Sequence, residues 1–266
     1  MAKILVTNDD GIHSRGIKAA VEALQDLGKV YVVAPMFQRS ASGRAMTLHR
    51  PLRAKRIKLK GAKAAYALDG MPVDCVIFAM ARFGKFDLAV SGINLGENMS
   101  TEITISGTAS AAIEAATHDI PSIAMSLEVN REKHKFGEGE EINFSVAKSF
   151  LKRISKAILS NGMPKGVDML NINAPYDAHE NTPIELTKLA KRMYMASVEE
   201  RIDPKGNPYY WIVGTQCPKD TLEPGTDMYA LKVERKVSVT PITLNMKQKS
   251  ILVMLEDICS CEISPP

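Results

Sequence analysis

Asp9 and Asp10 stand side by side directly after an apolar run, in ILVTNDDGIHSRG. Two adjacent carboxylates repel each other and lose solvation when they are buried. A divalent cation removes both penalties, and oxygens from elsewhere in the chain would complete its shell. Ser40, in APMFQRSASG, and Asn94, in SGINLGENM, offer such oxygens. Carboxylate, amide and hydroxyl oxygens are hard donors, which favours magnesium or manganese over zinc and leaves calcium as a third choice. Successive strand residues point to opposite faces. Asp9 and Asp10 therefore reach one ion only where the strand has become a turn, and Gly11 supplies that turn. The plain alternative for an Asp after a strand is a helix N-cap.

A second group lies in ISGTASAAIEAA. Ser106, Gly107 and Thr108 open an Ala-rich helix whose free N–H groups and dipole attract an anion. Gly107 lets the backbone come close to it. The alternative is a serine N-cap on an ordinary packing helix. A metal and an anion-binding helix start on the same sheet edge would point to phosphoryl chemistry.

The elements that must bring these groups together follow from periodicity. Residues 3–7, 29–34, 64–68, 86–90, 120–125 and 167–172 read as strands, and 16–27, 73–82, 108–117 and 143–159 as helices. Alternation of this kind predicts an α/β fold with a doubly wound (Rossmann-like), mostly parallel sheet. In such sheets ligands bind beyond the carboxyl ends of the strands. Asp9 and Asp10, Ser40 and Ser42, Asn94 and Asn98, and Ser106 to Thr108 should then share one edge. From about residue 184 the pattern changes. ELTKLAKRMYMASVEERIDPKGNPYYWIVG reads as two extended arms around the turn Asp203-Pro204-Lys205-Gly206, and KVSVTPITL as a further strand. Residues 248–259 suggest a short helix, and 131–141 a mobile polar surface loop. The expected division is a catalytic core over 1–180 and, over 181–266, a C-terminal β-hairpin extension with a tail that serves subunit contact.

Composition excludes several classes. A net charge of +4 suits an anionic substrate but is too weak and scattered for a nucleic acid duplex. The basic run from Arg50 to Lys63 reads as the solvated face of strands. No stretch approaches the roughly 18 apolar residues of a membrane span, and Asp9 and Asp10 cut the first apolar run too short for a signal peptide. The expectation is a cytoplasmic protein with no membrane partner. Cys75, Cys217, Cys259 and Cys261 show no framework spacing, and the single C-x-C lacks partners for a zinc site. GIHSRGIK is not a phosphate loop of the Walker type, because Lys18 is one residue late and no Ser/Thr follows it. No dinucleotide glycine motif and no serine-hydrolase elbow is present. His13 lies three residues past Asp10 and is either a substrate contact or a surface histidine.

ILVTNDDGIHSRG, APMFQRSASGRAMT, SGINLGENM and ISGTASAAIEAA, in this order and spacing, resemble the SurE (stationary-phase survival protein) family of nucleotidases. GMPVDCV, RIDPKGNPYYW and TDMYALKVERKVSVTP resemble further segments, so the likeness runs from residue 3 to about 242. The resemblance implies a metal-dependent phosphatase that releases phosphate from nucleoside 5′- and 3′-monophosphates. It implies one divalent ion per subunit, held by Asp9, Asp10, Ser40 and Asn94. Asn8, Asn98, Ser106, Gly107 and Thr108 match its substrate-side positions. Asp9, Asp10 and Asn94 would carry the catalysis, one of the aspartates orienting or deprotonating a water. A homodimer or homotetramer through the C-terminal arm is implied as well. Met71, Ile105 and Lys236 depart from the family's usual Thr and aromatic residues. The rival readings are a nucleotide-binding regulator that uses the same metal site without catalysis, and a nucleotide-sugar glycosyltransferase. The latter would need a second α/β domain, which the last 90 residues do not supply.

Overall fold

The computed structural model describes residues 1–129 and 142–245. The loop and tail helix expected over 131–141 and 248–259, and the Cys259/Cys261 pair, lie outside the described residues.

The chain opens with β1 (Ala2–Thr7), α1 (Arg15–Leu24) and β2 (Gly28–Pro35). β3 (Ala54–Ile57), β4 (Ala64–Leu68) and α2 (Pro72–Phe83) follow, then β5 (Leu88–Leu95). A 3-10 turn over Ser100–Thr104 leads into α3 (Gly107–Thr117), β6 (Ser122–Leu127), α4 (Ser145–Asn161) and β7 (Met169–Ala174). The C-terminal part holds β8 (Ile184–Leu186), β9 (Tyr194–Ile202), β10 (Pro208–Gln216), α5 (Asp227–Lys232) and β11 (Val237–Ile242).

Nine strands form one sheet in the order β3-β4-β2-β1-β5-β6-β7-β11-β8. β4, β2, β1, β5, β6 and β7 run parallel, whereas β3 and β11 pair antiparallel to their inner neighbours. The order reverses at β1, which places the switch point beside the Asp9–Asp10 turn. α1 and α4 pack on one face over Ile4, Val6, Val30 and Val90. α2 and α3 cover the other face over Leu5, Val33, Leu68 and Phe86. Helices on both faces leave the inner strands buried throughout, which is why they read as continuous apolar runs. This is the doubly wound α/β fold expected from the alternation.

Three details differ from the expectation. β5 does not stop at Ser91-Gly92 but runs on to Leu95, with a register shift between Gly92 and Asn94. Gly92 has φ +133°, and a Cβ there would lie 2.2 Å from the Met125 carbonyl oxygen, so only glycine lets the strand bulge and keep pairing. β8 and β11, both beyond residue 180, join the central sheet, and only β9 and β10 stand apart as a two-stranded ribbon. α5 has no counterpart in the sequence reading; its six residues are too short to show a period. No helix among the described residues is long and apolar enough to cross a membrane.

Candidate active site

β1 delivers the carboxylates. Ile4, Leu5 and Val6 are fully buried, and the chain stays buried through Asn8 and Asp9. Gly11 then turns it at φ +95°, a region that favours glycine. The Asn8 amide nitrogen closes this turn, donating to the Gly11 carbonyl at 3.0 Å and to Ser14 Oγ at 2.8 Å. Ser14 in turn caps α1 by accepting from the Ile17 N–H. The helix cap is therefore Ser14, and both aspartates are spared for another use.

The two carboxylates engage different elements. Asp9 Oδ1 accepts from Thr108 Oγ1 at 2.5 Å, at the start of α3. Its main-chain carbonyl accepts from the Arg39 N–H at 2.7 Å, which pins the loop after β2. Asp10 Oδ2 accepts a long contact, 3.4 Å, from the Leu95 N–H at the end of β5. Burial pushes both carboxyls above the usual Asp range. Asp10 is raised to about 6, by desolvation first and by the neighbouring Asp9 charge second. Asp9 is raised by desolvation against the opposing pull of the Thr108 hydroxyl.

α3 begins against Asp9. Ser106 caps it by accepting from the Ala109 N–H at 3.1 Å. A Cβ at Gly107 would sit 2.7 Å from Asp9 Cβ and 2.9 Å from Ser42 Oγ, so the helix start meets the carboxylate only because residue 107 is glycine. Ser106, Gly107 and Thr108 thus meet Asp9 as the topology required.

The remaining expected residues are placed less uniformly. Asn94 lies just after the β5 bulge, and its amide nitrogen is held by the Gly96 carbonyl at 2.7 Å. That bond leaves its side-chain oxygen as the end able to accept a cation. Ser40 is exposed and accepts from Gln38 Nε2 at 2.9 Å; no hydrogen bond joins it to the aspartates. Ser42, two residues on, has a buried hydroxyl without a partner beside Gly107. Asn98 serves the scaffold. Its amide nitrogen donates to Ser126 Oγ at 2.9 Å, its N–H donates to Asn173 Oδ1, and its carbonyl accepts from Asn171 and Asn173. His13 is exposed, in keeping with the surface reading.

The sequence reading missed Asn171 and Asn173, although a signal was there. Two asparagines at period two inside an otherwise buried strand, MLNINA, mark a polar network. Arg39 was also missed; its main-chain N–H donates to the Asp9 carbonyl, and its Nε is buried without a hydrogen-bond partner.

Among the described residues no group of three or more His, Cys, Asp and Glu gathers as a metal cluster. The donor set here is instead two desolvated carboxylates with amide and hydroxyl oxygens. Asn8 Oδ1 and Ser42 Oγ are buried there without partners. An all-oxygen set that combines repelling carboxylates with orphaned acceptors fits a hard divalent cation.

A family model described as "Survival protein SurE" matches residues 4–196. The chain is 66% identical over 256 residues to a protein of Thermococcus gammatolerans named 5′-nucleotidase SurE, covering 96% of this chain and 95% of the relative. It is 67% identical over 244 residues to the protein of the same name from Thermococcus kodakarensis, covering 92% and 93%. The crystal structure of the SurE protein from Aquifex aeolicus superposes with a TM-score of 0.80 at 35% identity, covering 96% of this chain and 99% of that one. With the family match spanning most of the sheet and near-full-length relatives at this identity, the chain belongs to the SurE family.

Proposed function

We propose that this protein is a metal-dependent phosphomonoester hydrolase that releases phosphate from nucleoside 5′- and 3′-monophosphates. The observation that carries the reading is a pair of adjacent desolvated carboxylates, Asp9 packed against the glycine-opened start of α3 and Asp10 facing the end of β5. The relatives named 5′-nucleotidase support the substrate class.

One divalent ion per subunit, magnesium or manganese, would be held by Asp9, Asp10, Asn94 and a serine hydroxyl of the 40–42 loop. When bound it supplies a positive charge that neutralises phosphate oxygens. The chain's own groups do the rest. The first-turn N–H groups at Gly107 and Thr108 hold phosphate oxygens at the positive end of α3. Thr108 fixes the rotamer of Asp9 through its 2.5 Å bond. Asp10, beside the end of β5, is placed to orient a water or take its proton. Asn8 keeps the Gly11 turn closed beneath both aspartates. In-line attack then needs only positioning and charge stabilisation from the protein.

The ribbon β9–β10 points to assembly. Trp211, Ile212 and Val198 are exposed on it, and an isolated hairpin is marginal in water. We infer a homodimer or homotetramer that covers this ribbon.

The test is phosphate release from a panel of nucleoside monophosphates, with EDTA and then with magnesium or manganese restored. Release that stops with chelator and returns with metal is expected. Nucleotide binding without release under any metal would replace the hydrolase with the regulator reading.

A further inference from the structure

Asn94, Asn98, Ser106, Gly107 and Thr108 all lie on one stretch, residues 94–108. Between β5 and α3 its regular structure is a five-residue 3-10 turn. Its rigidity has to come from outside, and the contacts show the source. Asn98 is gripped by Asn171 and Asn173 of β7. The Ser100 N–H donates to Asp227 Oδ2 at 2.7 Å. Glu102 Oε1 accepts from the Met193 N–H at 2.8 Å, at the root of β9. Next to Asn98, the Glu97 carboxylate takes Lys232 Nζ at 2.8 Å and a longer 3.4 Å bond from Gln216.

Lys232 is central to this clamp. Its ammonium lies between two buried carboxylates, Glu97 and Glu128, whose side chains are 2% and 6% exposed. Arg235 secures the other oxygen of Glu128 at 2.7 Å and bonds Asp177 as well. Burial alone would raise the Glu128 carboxyl, but Arg235 and Lys232 together hold it below its ordinary value. Glu128 thus keeps a cation if Lys232 is lost. Glu97 would keep only the long amide contact. A buried carboxylate stripped of its cation is strongly disfavoured, and Glu97 can relieve that by moving to water. The move would carry Asn98 and the end of β5, where the Leu95 N–H meets Asp10 and Asn94 stands one residue before it.

We propose that Lys232, on the C-terminal helix α5, is a positioning residue for the 94–98 loop of the active site, acting through Glu97. The proposal rests on the hydrolase reading above only for its activity readout. The experiment compares wild type with Lys232→Met, Lys232→Arg, Glu97→Gln and Glu128→Gln, all below their melting temperatures. Mn²⁺ affinity is read by calorimetry, kcat and KM by phosphate release, and mobility of residues 95–100 by amide hydrogen exchange.

Lys232→Met is expected to weaken Mn²⁺ binding and lower kcat/KM at least tenfold, and to speed exchange over 95–100 by a similar factor. Lys232→Arg should restore most of each. Glu97→Gln leaves Lys232 its pairing with Glu128, and should show the same changes at a smaller scale, about threefold. It carries the test if Lys232→Met does not fold. Glu128→Gln should lower thermal stability yet leave all three site readouts within twofold. Unchanged site readouts in Lys232→Met or Glu97→Gln would overturn the proposal, as would a Glu128→Gln effect equal to that of Lys232→Met. A wild type that neither binds Mn²⁺ nor releases phosphate would defeat the hydrolase reading instead, and exchange over 95–100 would still decide the role of Lys232.

Discussion

At the scale of single residues, the site is governed by what burial does to Asp9 and Asp10. The Asp10 carboxyl is raised from 3.8 to about 6, so its ionised form is disfavoured in the folded, metal-free chain. The sign follows directly. This group imposes no penalty on folding below about pH 4, and the metal-free protein loses stability as pH rises through about 6. A cation needs the ionised form and competes with that proton. Mn²⁺ affinity is expected to rise with pH and to fall at least tenfold per pH unit below about pH 6, where Asp10 and then both aspartates take up protons; calorimetry between pH 5 and 7.5 measures this. Thr108→Val removes the bond that holds Asp9 down and should move the inflection to higher pH. A profile insensitive to pH across this range would mean that the aspartates do not hold the ion. The place of this pair at the sheet edge was legible in the sequence because it follows directly on a buried strand. The bonds that anchor Asn98 were not, since a hydrogen bond to Ser126 or Asn173 depends on strands far apart in the chain. Spacing and motif pointed to Ser40 as the hydroxyl donor, whereas the turn of the loop leaves Ser40 exposed and buries the Ser42 hydroxyl.

At the scale of elements, position depends on two glycines. Gly107 brings α3 to Asp9 with no room for a methyl group. Gly107→Ala is expected to lower phosphate release more than tenfold, because sub-ångström displacement of a reacting group is expensive. α3 should survive, with unchanged helical circular dichroism; full activity in the folded variant would show that Asp9 has slack. Gly92 lets β5 bulge and continue, so Asn94 reaches the sheet edge from within a strand. Sequence reading found β5 but stopped it at that glycine, because a glycine that bulges and one that ends a strand look alike. The inner strands and long helices were legible from their periods. β8, of three residues, and α5, of six, were not, because tertiary pairing and caps specify them. α5, for instance, is fixed by Thr226 as its cap and by Asp227 accepting the Ser100 and Ala190 N–H groups. The departures from family pattern also settle at this scale. Met71 precedes α2 without a side-chain cap, Lys236 pairs with Glu185 and Glu234, and Ile105 is exposed beside Ser106.

At the scale of the whole molecule, the ribbon β9–β10 is the feature out of balance. Tyr209, Tyr210, Trp211 and Ile212 are 40–86% exposed on it, together with Val198 and Ile202. Exposed apolar surface of this extent marks an interaction face. With Trp211→Glu and Ile212→Glu combined, light scattering is expected to show a smaller particle than wild type. An unchanged mass would place the assembly contact elsewhere. The substitutions lie away from Asp9 and Asp10, so phosphate release per chain reports whether assembly matters to turnover.

The strand order has one more consequence, for the chain as it is made. β11 fills the position between β7 and β8 and pairs antiparallel with β7 from Ser238↔Asn173 to Ile242↔Met169. On a ribosome adding ~5–20 residues per second, β7 emerges several seconds before the strand that covers it. During that interval the newborn protein carries an unpaired sheet edge and lacks Lys232, so Asn171 and Asn173 of β7 hold the loop opposite the aspartates before the clamp around Glu97 can form.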